Sequence, residues 1–267
     1  MPSTYQQIVD DLNAQSFHKV PLTCTREQIE TAIDKFFHFM ELPEETRKRF
    51  SFKLGDDSGD MEVGYWTRSR ETGSPDNRGY FQYSVVGDEE FRKTGADCPE
   101  LIAFLDAAKV VYEATAPTMR EVVHAIDGVH PGIEQKIFNP GPGRVLRIPL
   151  RFLGYPTTEP GDFLATGHYD KGATTIAIAE SAPGLRIGKL PETVKEVVHE
   201  PGYGLFFPGI QLAHFTSPTF APSWHDVAQK DQDAYKPGFA RWAVVLFCGA
   251  WDGKPTTWAD RHTPQYS

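Results

Sequence analysis

The chain has 267 residues, 40% of them apolar and 24% charged, a composition that excludes collagen-like, disordered and disulfide-framework classes and leaves enough chain for a sizeable core. A formal net charge of -9 argues against nucleic acid or an anionic membrane surface as partner, while an anionic small molecule could still be held by local arginines. The three cysteines, Cys24, Cys98 and Cys248, are scattered and form no CxxC, which excludes a thiolate zinc site and points to free thiols in a reducing compartment. The first segment, MPSTYQQIVDDLNAQSF, has no basic stretch followed by an apolar one, so it does not read as a signal peptide. No apolar run reaches membrane-spanning length. The expectation is a cytoplasmic protein of one domain, residues 1–267, with a mostly helical region over 1–141 and a β-rich region over 142–267.

The first clear helix begins at Thr25, where Thr25 and Gln28 have capping-box spacing and Ile29, Ile33, Phe36 and Met40 form an apolar stripe at helical period. Pro43 opens a second short helix, PEETRKRF. Residues 54–79, rich in Gly, Asp, Ser and Arg, read as a loop, with Tyr65, Trp66, Tyr80, Phe81 and Tyr83 in or just after it. Such a loop could act as a lid, with Arg68 and Arg70 meeting an anionic substrate. A long helix follows from about Pro99, with Leu101, Leu105, Ala108, Val111 and Tyr112 on one face. Pro117 is expected to kink or break it, before the pattern resumes at Met119, Val122, Val123 and Ile126 and stops at Gly128.

From Arg144 the period changes to two. RVLRIPLRFL, ATTIAIA, GLRIG, TVKEVVHE, GLFFPG and RWAVVLFC are candidate strands separated by Gly and Pro. Many short strands with frequent turns predict a sandwich, jelly roll or barrel, here mainly β with flanking helices. No GxGxxG or phosphate-binding loop precedes a helix, so nucleotide-binding α/β folds lose support.

His168-Tyr169-Asp170 carries the chemistry. On a strand, residues two apart share a face, so His168 and Asp170 present an imidazole and a carboxylate together. Two His and one carboxylate on one face leave coordination positions open, which suits non-haem iron(II). HxD alone is weak, since a buried polar pair or a turn would look the same; here it stands between two predicted strands. The third ligand must come from His199, His214, His225 or His262. His199 lies in a charged strand and reads as surface, and His262 lies in a polar tail. Spacing does not choose between His214 and His225, which both follow FPGIQL.

At these residues the chain resembles the isopenicillin-N-synthase-like branch of the iron(II)/2-oxoglutarate oxygenases, most strongly from Arg144 to Cys248. GHYDKGATTIAIAESAPGLRI is similar to the family segment with HxD, a Thr-rich strand and Pro-Gly-Leu; GLFFPGIQLAHFTSPTFAPSWHDV is similar to the segment that ends in the distal His. FFHFMELPEETRKRF resembles an N-terminal helix of the family. The resemblance implies a double-stranded β-helix, or jelly roll, with His168, Asp170 and His225 as metal ligands and His214 on the preceding strand as a packing residue. It implies that Arg241, in RWAVVLF, pairs with the far carboxylate of 2-oxoglutarate, as a guanidinium can do with two parallel hydrogen bonds. Two departures stand out: Ala243 replaces the family's Ser, and Arg241 lies 16 residues beyond His225, with QKDQDAYKPGF inserted. Tyr155, or less readily Arg147, would supply the missing contact.

The resemblance further implies Fe(II), 2-oxoglutarate and O2 acting on an unactivated C–H bond of a small molecule, by hydroxylation, desaturation or ring closure. An amino acid or a secondary-metabolite intermediate is the implied substrate class. Halogenation is disfavoured, because related halogenases replace the carboxylate that Asp170 supplies. The rivals are an iron oxidase that uses no 2-oxoglutarate, a non-catalytic jelly-roll metal-binding module, and a metal hydrolase.

Overall fold

Two capping boxes set the first helices of the computed structural model, which describes residues 4–54, 61–68, 78–139, 145–157, 161–230 and 235–250. Thr4 and Gln7 exchange side-chain bonds with each other's backbone N–H and start α1 (Tyr5–Gln15), a helix absent from the sequence-based expectation. After β1 (His18–Pro21), Thr25 and Gln28 do the same for α2 (Arg26–Met40), which buries Ile29, Ile33, Phe36 and Met40 as expected. Pro43 caps α3 (Glu44–Lys48).

Within the stretch expected as a loop over 54–79, the described residues, 54, 61–68 and 78–79, are strand. β2 (Ser51–Leu54), β3 (Met61–Arg68) and β4 (Arg78–Tyr83) form an antiparallel meander, with Phe52 opposite Val63 and Tyr65 opposite Phe81. Met61, Val63 and Tyr65 alternate into the core. That period-two signal was masked by the Gly, Asp and Ser around it. Arg70 and the side chain of Arg68 lie outside the described residues, as does the lid reading that rests on them.

After α4 (Val85–Thr94), α5 (Pro99–Asp127) runs unbroken through Pro117. A proline removes one backbone bond, but Val111, Thr115, Met119 and Val122 are buried on both sides of it and hold the helix together across it. α6 (Ile133–Phe138) follows.

From here strands alternate between two sheets. They are β5 (Leu150–Pro156), β6 (Phe163–Tyr169), β7 (Thr174–Glu180), β8 (Leu185–Gly188), β9 (Lys195–Glu196) and β10 (Tyr203–Pro208), then, after the short helix α7 (Ile210–Phe215), β11 (Trp224–Ala228) and β12 (Phe239–Cys248). The larger sheet has the order β1-β10-β7-β12-β5-β4-β3-β2, the smaller β6-β11-β8-β9, and every pair is antiparallel. This is the expected jelly roll, with β1 extending one edge of the larger sheet and β2–β4 the other. The region over 1–141 is therefore not simply helical: four of its strands complete a sheet of the β-rich region.

The sheets and helices enclose two apolar layers. One packs α2 and α5 on the larger sheet, with Phe104 against Phe36, Phe39, Phe81 and Phe152 at centroid distances of 4.9–6.2 Å. The other lies between the sheets and includes Leu153, Leu164, Leu185, Phe207 and Val227. Among the described residues no helix is long and apolar enough to cross a membrane.

Candidate metal centre

The site is built on one strand pair. β6 and β11 run antiparallel with His168 directly opposite His225. Facing positions on a ladder have side chains within contact distance, and the two imidazole centroids are 4.5 Å apart. Asp170 follows Tyr169, the last residue of β6, and shares the face of His168. Its Oδ1 stands 3.6 Å from His168 Nε2 and 3.8 Å from His225 Nε2. One ligand atom from each of the three residues lies within 4.8 Å of the others. The third histidine that spacing alone left open is thereby brought to the pair, and it is His225.

The remaining atoms of these side chains are spent on orientation. His168 Nδ1 donates to the carbonyl of Thr166 at 2.8 Å and His225 Nδ1 to the carbonyl of Ser223 at 3.2 Å. A carbonyl only accepts, so each Nδ1 carries the proton and each Nε2 presents its lone pair toward Asp170. Thr175, on β7, donates its hydroxyl to Asp170 Oδ2 at 2.5 Å, which leaves Oδ1 facing the histidines. Phe207 of β10 packs on the His225 ring at 5.0 Å. The turn carrying Asp170 is pinned from behind: Ile210 N donates to its carbonyl at 2.8 Å, and a β-carbon on Gly209 would come within 2.9 Å of the same oxygen. Asp226, next to His225, is turned away and paired with Arg186 at 2.6 and 2.7 Å.

Two imidazole lone pairs and one anionic oxygen, each held by a neighbour, fit a divalent first-row metal with open coordination positions. Burial alone would raise the Asp170 carboxyl, but the positive charge that His225 and His168 carry whenever protonated, the Thr175 hydroxyl and Arg151 hold it below the usual carboxylate value. It therefore stays an anion through neutral pH, where a metal meets no competing proton on it. Thr175→Val should keep the fold and weaken metal binding by about 10- to 100-fold, the usual cost of removing such a support. A manganese(II) titration of the variant checks this; undiminished affinity would remove Thr175 from the support.

The three residues open into a cavity of about 720 Å³ between the sheets, also lined by Tyr155, Arg241, Arg147 and Arg151. β12 and β5 set Arg241 opposite Tyr155, whose ring lies 5.7 Å from the guanidinium carbon. Arg241 is 2% exposed and donates Nη1 to the Pro183 carbonyl at 3.3 Å and Nη2 to Glu180. Gly184, at φ 143°, permits this: a β-carbon there would fall 2.6 Å from Nη1 and 2.3 Å from the Ala228 carbonyl oxygen.

The other histidines part company. His199, expected at the surface, turns inward and lines the cavity, with Nε2 donating to the Ala177 carbonyl at 3.0 Å. Only Lys195–Glu196 of its segment pairs as strand, yet the alternation persists, and His199 falls on the side of buried Val197, away from exposed Val198. His214 lies on α7, not on a strand, and is exposed. His262 is outside the described residues. Sequence reasoning missed Thr175, Glu180 and the inward turn of His199; the acid ending the apolar run TTIAIAE was the available signal.

No protein-family model matches the chain, and no curated protein matches it. Solved structures do. The chain is similar to a full-length Neurospora crassa protein in complex with alpha-KG, that is, 2-oxoglutarate, with a TM-score of 0.67 at 17% identity over 91% of this chain and 78% of that one. A 2OG-Fe(II) oxygenase family protein of Caulobacter crescentus gives 0.68 at 18%, over 92% and 81%. A dioxygenase for auxin oxidation from Arabidopsis thaliana, solved with 2-oxoglutarate, gives 0.67 at 12%, over 92% and 87%. The chain thus has the jelly-roll fold of the iron(II)/2-oxoglutarate oxygenases.

Proposed function

We propose that this protein is an iron(II)- and 2-oxoglutarate-dependent oxygenase that oxidises an unactivated C–H bond of a small molecule, by hydroxylation, desaturation or cyclisation. The observation that carries the reading is the convergence of His168, Asp170 and His225 at the wall of a cavity of about 720 Å³. In this reading the three side chains hold iron(II), and Arg241 with Tyr155 receives the far carboxylate of 2-oxoglutarate. Bound iron(II) with 2-oxoglutarate supplies the activation of O2. The chain orients the reactants and keeps water out with Ala165, Leu153, Leu185 and Val227, which line the cavity beside the ligands.

The cavity volume suits a small-molecule ligand, and the Neurospora crassa protein of like fold has been solved with thymine and with 5-formyluracil. Arg151 supports a substrate bearing a carboxylate, such as an amino acid. Its guanidinium is clamped between the rings of Tyr80 and Phe247 at 4.5 and 4.6 Å, donates to Gln82 Oε1 at 2.9 Å and faces the same cavity. The net charge of -9 and three free, buried cysteines support a cytoplasmic enzyme without nucleic-acid or membrane partners, residues 1–267 acting as one oxygenase domain.

A second reading, an iron oxidase that needs no 2-oxoglutarate, is favoured by Ala243, which carries no hydroxyl beside Arg241. Anaerobic titration with iron(II) and 2-oxoglutarate separates the two. The oxygenase should show a weak visible charge-transfer band only when both are present, and should later release succinate in step with 2-oxoglutarate consumption. Absence of the band together with substrate-dependent oxygen uptake would establish the oxidase.

A further inference from the structure

The guanidinium assigned to the co-substrate already has a carboxylate on it. Arg241 Nη2 donates to Glu180, which ends β7 and is 9% exposed. A guanidinium has five N–H donors, and Arg241 Nε, though buried, has no hydrogen-bond partner among the described residues. The other oxygen of the same carboxylate, Glu180 Oε1, stands 3.2 Å from His199 Nδ1, a close approach that lacks hydrogen-bond alignment. His199 Nε2–H is committed to the Ala177 carbonyl, so its Nδ1 is the nitrogen left to meet Glu180. Glu180 thus sits between two basic side chains, bonded to one and a small rotation away from the other. All three line the cavity that holds the candidate metal centre.

We propose that Glu180 is a built-in stand-in for the distal carboxylate of the dicarboxylate co-substrate, and that it passes from Arg241 to His199 when the co-substrate binds. The proposal rests on the oxygenase reading above. A buried guanidinium left without an anion is costly, and Glu180 keeps Arg241 paired until the co-substrate arrives. A displaced buried carboxylate is equally costly; His199 Nδ1, 3.2 Å from Glu180 Oε1, receives it by taking up a proton as the carboxylate moves over, both ring nitrogens then donating. The affinity for 2-oxoglutarate is then reduced by the fraction of molecules in which Arg241 is still held by Glu180. Glu180 and His199 become specificity-determining residues for the co-substrate without touching the metal.

Calorimetric titration of the full chain with 2-oxoglutarate, with manganese(II) in place of iron(II), reads this directly and needs no turnover. Glu180→Gln keeps the shape and removes the charge, and should bind 2-oxoglutarate about tenfold tighter than the wild type. His199→Ala should bind about fivefold weaker, because Glu180 loses its second partner. In the double variant the His199 effect should vanish, as coupled residues require. Equal or weaker binding by Glu180→Gln, beside a wild type that binds, overturns the proposal and leaves the oxygenase reading standing. No binding by the wild type or either variant overturns both. If Glu180→Gln does not fold, His199→Ala carries the test, and an unchanged affinity there overturns the proposal.

Discussion

Asp170→Ala is expected to abolish oxygen uptake and to weaken divalent-metal binding by more than about a hundredfold. Removing a residue that only supports a ligand typically costs 10- to 100-fold, and Asp170 itself carries the atom toward which both imidazoles point. It is also the sole anion of the three residues, so its loss leaves two neutral nitrogens to hold a dication. The Thr175 hydroxyl and the Ile210 N–H keep their places around the turn, so the fold should persist. Oxygen-electrode traces and a manganese(II) titration of the purified variant are the measurements. Retained turnover would remove Asp170 from the centre and the oxygenase assignment with it.

Phe104→Ala should have the largest effect on stability. Phe104 is fully buried on α5 and touches four other phenylalanine rings, from α2, β4 and β5. Truncating such a ring costs about 3–5 kcal/mol through lost burial and the cavity left behind. At roughly 2–4 °C per kcal/mol for a chain of this size, the melting temperature should fall by about 10 °C. Turnover at low temperature should survive, because Phe104 and the four rings it touches belong to the helix-facing layer, while the metal centre opens into the space between the sheets. A shift of only a degree or two would mean that the aromatic layer closes around the gap.

Local chemistry was legible and long-range pairing was not. The Thr25–Gln28 capping box, the stripe from Ile29 to Met40 and the two-residue step from His168 to Asp170 are all written within a few positions, and each has the predicted form. Thr4–Gln7 carries the same capping signal, but the stripe behind it is short, with only Ile8 and Leu12 buried. His214 and His225 are indistinguishable by spacing, because the choice is made by the ladder that sets His225 against His168 and by α7, which takes His214 out of the strands. Glu180, at the end of β7, and His199, in the segment after β9, are adjacent only through tertiary packing, and no local pattern records that. The pairing of β3 with β4 was hidden because Gly, Asp, Ser and Arg residues outnumber its inward-facing side chains in the sequence.

β6, which carries His168 and leads directly into Asp170, lies at the edge of the smaller sheet, and its ladder with β11 shifts register between His225 and Ala228. Side chains alternate strictly along a strand, so the centre depends on parity: moving β6 by one residue would send the imidazole and the carboxylate to the outer face while the sheet stayed intact. The irregularity lies in β6, where the step from His168 to Ala165 faces the shorter step from His225 to Val227, and it lets His168 and Ala165, three apart, both line the cavity. One residue inserted in β6 would thus leave the jelly roll its ladder but not its centre, and by turning Leu164 out of the core between the sheets it would also cost stability.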